Sequence, residues 1–251
     1  MYYPHFRKSR SNVPILKKKE INETAELYAK YFMPQIIDSP QPFNIEGFIE
    51  FYLELQLDFQ FLSNNGMYLG MTVFNDTNKV IVYSPENNRA EYFHADQGTI
   101  IIDNRLLTEK KMEHRYRFTL GHECGHWIYH RCYFEYDPNQ LTLFDEFDMP
   151  FIQCRETNQN HFCCQNKNRD DLEWLEWQAD MFSAGILMPS SSVHCLLQNG
   201  DKTHLLDENS MIKLVSDVFN VSEQAAYLRL VNLGFIQVRR NADEYKQLSF
   251  L

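Results

Sequence analysis

The sequence predicts an α+β fold: a small twisted sheet packed against one helix that carries a histidine pair, followed by a helical C-terminal segment. Three observations carry this. Residues 122–126 read His122-Glu123-Cys124-Gly125-His126, within a stretch from 116 to 132 that holds no proline and can form one helix. Ahead of it, residues 68–74, 80–84 and 99–103 are short runs rich in β-branched and aromatic residues and read as strands. Behind it, Leu175, Ala179, Phe182 and Ile186 recur with a helical period that Pro189 ends.

Taken in order, residues 1–19 are basic and irregular, and Lys17-Lys18-Lys19 reads as part of a solvated arm. Residues 20–65 are expected to be N-terminal helices. The first covers 21–32 and is stopped by Pro34; Ser39-Pro40-Gln41-Pro42 is a turn. Asn44 then caps a helix running to about 57, where Phe48, Phe51, Tyr52 and Leu55 keep a 3.6-residue period. Turns are expected at Asn64-Asn65-Gly66 and Asn75-Asp76. The main body is expected over 66–190, with 132–171 as an insertion, and a C-terminal helical segment over 191–251.

Composition narrows the function. The 251 residues are 44% apolar and 23% charged, an ordinary globular make-up. The net charge of −10 disfavours general nucleic-acid binding. No run of 18 apolar residues exists, so no membrane-spanning helix is expected, and the N-terminus lacks the apolar stretch of a secretion signal. Six cysteines in such a chain point to reduced thiols in the cytoplasm.

His122 and His126 are four apart, so on a helix they share a side about 6 Å apart along the axis and can reach one metal ion. Glu123, next to the first histidine, is placed to take a proton from a water at that ion. Gly121 and Gly125 weaken a helix by about 1 kcal/mol each, which suggests that something packs close to the backbone there. Cys124 points away from the metal side and reads as a small buried side chain.

A zinc site of this kind needs a third protein ligand. His130 lies about 12 Å along the axis from His122, too far for both to hold one ion. His94, His114 and His161 read as surface or core residues. Glu176 and Asp180 share a helix face away from the main apolar stripe, which would suit a ligand with a carboxylate that orients a zinc histidine. By spacing alone the pair reads equally as a solvated acidic face, since Asp170, Asp171 and Glu173 are acidic too.

These motifs resemble the ImmA/IrrE family of zinc metallo-endopeptidases. The resemblance rests on Arg117-Phe118-Thr119-Leu120 leading into the histidine motif, on Glu176-Trp177-Gln178-Ala179-Asp180-Met181-Phe182-Ser183-Ala184, and on Leu187-Met188-Pro189. It extends over roughly residues 20–236 and implies a zincin-like fold that closes on a helix-turn-helix-like segment at 211–220, 221–222 and 223–233. It also implies Zn²⁺ held by His122, His126 and Glu176, with Glu123 as the catalytic carboxylate and Asp180 at the family's Asn/Asp position. Two departures stand out: the long gap between His126 and Glu176, and no DNA-binding domain ahead of the peptidase part. The implied partner is a DNA-binding repressor of the helix-turn-helix type, cleaved in stress response or mobile-element control (an antirepressor role).

Other expectations concern the periphery. Cys154, His161, Cys163 and Cys164 in the insertion could hold a second, structural zinc, although adjacent cysteines fit a tetrahedral cage poorly. The bland reading of the insertion is a flexible lid. Residues 99–103 are the strand expected to line the cleft and pair with substrate backbone. Ser222 is a plausible N-cap, and the Glu223-Gln224 that follows it argues for packing rather than DNA reading. Two alternatives to the endopeptidase are a non-hydrolytic regulatory binding module, such as a toxin–antitoxin-like partner, and a zinc amidase acting on small substrates. An intact Glu123 speaks against the first, since a pseudoenzyme is free to lose it. Sequence leaves the oligomeric state open.

Overall fold

The computed structural model describes residues 4–10, 12–108, 110–134, 151–155 (backbone), 171–198 and 207–237. The fold is α+β, with a small mixed sheet and several helices. The chain forms two compact units, Met1–Ile21 with Asn44–Ser183, and Asn22–Phe43 with Ala184–Leu251.

The first unit opens with a tight N-terminal loop. Lys8 and Pro14 form an antiparallel bridge, and the Ile15 N–H donates to the Arg7 carbonyl at 2.8 Å. Val13, Pro14 and Leu16 are buried, and the Phe6 ring packs edge-on to Tyr129 with centroids 5.1 Å apart. Lys17 and Lys19 are exposed as expected, but the segment before them is anchored by its apolar residues rather than solvated. Helix α1 follows at Lys18–Phe32 and crosses into the second unit.

The helix expected from Asn44 to about 57 is shorter. Asn44 caps it, accepting from the Gly47 N–H at 3.1 Å, but α2 covers Ile45–Gly47 and a π-helical turn Phe48–Tyr52 ends it. Glu54, at φ 56°, turns the chain out of the helix. Strand pairing then claims the next residues, and Phe51 is left 78% exposed.

Among the described residues, six strands follow: β1 (Gln56–Gln60), β2 (Tyr68–Val73), β3 (Thr77–Ser84), β4 (Arg89–Ala95), β5 (Thr99–Asp103) and, later in the chain, β6 (Phe151–Arg155). The four-stranded sheet has the order β1-β5-β2-β6, parallel between β1 and β5 and antiparallel elsewhere. β3 and β4 form a separate hairpin whose Val80, Val82 and Ala95 pack with Leu62, Met71, Val73 and Ile101. Three of these strands were not legible. β1 and β4 are largely polar and half-exposed, and β6 lies in the supposed insertion yet hydrogen-bonds to β2. Strand β5 corrects a second expectation. It has a neighbour on each side, so its backbone groups are spent within the sheet and it offers no edge to a substrate.

Beyond the short helix α3 (Arg105–Thr108), α4 (Glu113–Phe134) carries the histidine pair. It is buried on every side from Thr119 to His130. One side faces β2 and the other faces α5 (Asp171–Leu187). The expected close approach at its glycines is realised there. A Cβ on Gly121 would lie 2.6 Å from Ser183 Oγ, and one on Gly125 would lie 2.9 Å from Ala179 Cα.

In the second unit, α6 (Ser190–Gln198) is tied to the turn at Pro34–Ile36 by the Ser192 hydroxyl, which donates to the Ile36 carbonyl at 2.6 Å. Helices α7 (Glu208–Phe219) and α8 (Glu223–Leu233) meet at a turn where Asn220 adopts a left-handed conformation and Ser222 caps α8 by accepting from Ala225 N–H. Arg229 of α8 is wholly buried, so it is no phosphate contact. Among the described residues, no helix is long and apolar enough to cross a membrane. His161, Cys163 and Cys164, and the side chain of Cys154, lie outside the described residues.

Candidate metal centre

One turn of α4 and one turn of α5 build the site. His122 and His126 leave α4 on the same side, and Glu176 leaves α5 towards them. The three ligand atoms lie within 4.8 Å of one another, so the group could hold a metal ion. The His122 and His126 Nε2 atoms are 2.8 Å apart, and lie 3.3 Å and 3.4 Å from the two Glu176 carboxylate oxygens.

The donor chemistry fits a cation. Asp180 Oδ1 lies 2.9 Å from His122 Nδ1, so the neutral ring carries its proton there and turns a bare Nε2 to the cluster. Nitrogen lone pairs and a carboxylate packed at these distances repel unless a positive charge sits among them. Burial resists charging Glu176, but the adjacent His126 and His122 hold its carboxyl well below the usual range. Burial also lowers the His126 pKa, which favours the neutral ring that a metal needs. The histidine side chains are 3% and 0% exposed and that of Glu176 is 22% exposed, so the cluster opens to solvent on the α5 side.

Glu123 sits beside the cluster and is fully buried. Thr72 on β2 donates to its Oε2 at 2.6 Å, while its Oε1 has no hydrogen-bond partner. Burial raises its pKa to about 7, against the pull of His122 and Thr72; Glu176 adds to the rise. Gly70 of β2 makes room for the carboxylate, since a Cβ there would lie 2.5 Å from Oε1. Cys124 is buried as expected, and burial pushes its thiol up.

Thr72, Gly70, His130 and Gln178 were not anticipated around the site. His130 is not in the metal group; its Nδ1 lies 2.8 Å from His126 Nδ1. Its Nε2 lies 3.0 Å from Gln178 Oε1, and Gln178 Nε2 donates to the Pro14 carbonyl at 2.8 Å. The only sequence signal for His130 was its position one turn past His126. Thr72 and Gly70 gave none, because their role depends on which strand lies over α4. Comparison of the chain with protein-family models and with curated proteins finds no match.

Proposed function

We propose that the chain is a zinc-dependent endopeptidase of the ImmA/IrrE kind, with a zincin-like core, that cleaves a protein substrate. The observation that carries this reading is Glu123. A buried carboxylate with one oxygen anchored and the other unpartnered is costly to fold. Beside a metal-ligand cluster, such a group marks a proton acceptor rather than a structural residue.

Two imidazoles and one carboxylate are the ligand set of catalytic zinc sites that keep a fourth position open. Zinc, when bound, would supply Lewis acidity and lower the pKa of a water towards 7. His122, His126 and Glu176 would hold it, and Asp180 would orient His122. Thr72 fixes Glu123 through Oε2, so Oε1 is left to take the proton of a water attacking the scissile carbonyl. The Glu123 carboxylate can accept that proton and then release it to the departing amine.

The substrate class comes from the family resemblance: a helix-turn-helix repressor whose cleavage releases its genes. The test is cleavage of such a repressor by wild type and Glu123→Gln, with zinc measured in both. Cleavage by wild type alone, with zinc retained in the variant, supports the reading. Equal cleavage by the variant removes Glu123 from the chemistry, and unchanged regulation without any cleavage favours the non-hydrolytic binding module.

A further inference from the structure

We infer that His130 and Gln178 are positioning residues, which together with the Pro14 carbonyl fix the proton of His126 on Nδ1 and so present its bare Nε2 to the metal. The inference rests on the proposed metal site and concerns how it is held.

The direction of the relay follows from its far end. A proline carbonyl only accepts, so Gln178 must offer it Nε2 at 2.8 Å, and the amide's orientation is thereby set. Its Oε1 then faces His130 Nε2 at 3.0 Å and can only accept, so His130 carries its ring proton on Nε2. That leaves a lone pair on His130 Nδ1, 2.8 Å from His126 Nδ1, and His126 must donate there. In the neutral His126 ring, the Nε2 facing Glu176 and His122 is therefore free of a proton. Each donor in the series meets an acceptor, and reversing any link puts two donors or two acceptors face to face.

Burial makes the choice binding. His126 and His130 are 0% exposed and Gln178 is 1% exposed, so water cannot replace a mismatched partner. Pro14 is itself held, by its bridge to Lys8 and by the Ile15 N–H bond to the Arg7 carbonyl. The two metal histidines are thus oriented differently: His122 by a carboxylate that α5 supplies, and His126 by a neutral series that ends on the N-terminal loop.

Two readouts test this on the full chain. The first is the tautomer of each histidine in the metal-free protein, from ¹H–¹⁵N spectra tuned to imidazole couplings. The relay requires a proton on Nε2 and none on Nδ1 of His130, and a proton on Nδ1 of His126. The opposite tautomer of either ring overturns it. The second is zinc affinity, measured by competition with a chelating dye. His130→Leu and Gln178→Leu are each expected to weaken zinc binding by roughly 10- to 100-fold. The double variant is expected to bind no more weakly than His130→Leu, because the two act through one series. His130→Gln, which keeps one donor and one acceptor, is expected to recover much of the loss. Folded single variants that bind zinc like wild type, or losses that multiply in the double variant, overturn the relay and leave the ligand set standing. If wild type binds no zinc, the ligand assignment fails, and the His130 tautomer still decides the relay. That measurement also applies if the leucine variants do not fold.

Discussion

Gly70→Ala is the substitution that best separates Glu123 from the proposed metal ligands. The added methyl carbon would sit 2.5 Å from Glu123 Oε1, 2.7 Å from Thr119 Cγ2 and 3.0 Å from Glu123 Cγ. Ordinary contact begins near 3.4 Å, so the carboxylate must retreat, or β2 must lift from α4, by about 0.9 Å. Either movement weakens the 2.6 Å bond from Thr72 that aims the carboxylate. A misplacement of about 1 Å costs on the order of 10²-fold in rate, so kcat/KM should fall by about that factor. His122, His126 and Glu176 lie on α4 and α5 and are not touched, so zinc affinity should stay at the wild-type value. Stability balances two effects. Replacing a strand glycine with alanine favours folding by about 0.5–1 kcal/mol, and overpacking costs about 1–3 kcal/mol. The net loss of about 1 kcal/mol should lower Tm by roughly 2–4 °C. The assay is cleavage rate against bound zinc in the same preparations. Full activity in a folded Gly70→Ala protein would refute the role given to Oε1, and loss of zinc would refute the claim that the substitution leaves His122, His126 and Glu176 in place.

Three further outcomes follow from the same geometry. Gly125→Ala places a methyl 2.9 Å from the Ala179 backbone, which cannot rotate away, so α4 and α5 must separate; zinc binding, read by dye competition, should weaken while Glu123→Gln leaves it intact. In metal-free protein, Glu123 has a folded pKa of about 7 against 4.5 unfolded, so the penalty for ionising it is absent well below pH 4.5, grows as pH rises to about 7, and stays constant above. The stability gained by Glu123→Gln in urea titrations should therefore be larger at pH 8 than at pH 4.5, by up to about 3 kcal/mol, and a pH-independent gain would contradict the buried, proton-holding carboxylate. Arg229 is wholly buried, donates from Nε to the Met188 carbonyl at 2.9 Å and reaches Asn22, and burial lowers its pKa to about 10. Arg229→Leu should cost about 1–3 kcal/mol in chemical denaturation by stranding those acceptors, and a neutral result would show that water or repacking satisfies them.

The α+β class, the helix around 122–126 and the helix after 171 were legible because each rests on local periodicity, whereas the α7–α8 pair was expected from the family resemblance, with Ser222 legible as its cap. The strands were half legible. β2, β3 and β5 have apolar runs, whereas β1 and β4 are mostly polar and become strands through their neighbours. The long π-ended turn before β1 was misread because Phe48 and Phe51 keep a helical period although only Phe48 is buried.

The sequence by itself placed His122, His126, Glu123 and the Glu176–Asp180 pair, since spacings of one and four residues along a helix fix which side chains share a face. It could not decide whether Glu176 meets the histidines or faces water, because that depends on how α5 lies against α4. Tertiary structure decided it through two glycines that let the helices touch at Ser183 and Ala179. It also supplied the partners of Glu123 and His126: Thr72 and Gly70 on a strand about 50 residues upstream, and the path from His126 through His130 and Gln178 to Pro14. Those bonds join residues far apart in the chain, and hydrogen-bond direction in a buried site is set by all of its partners together rather than by any one stretch of sequence.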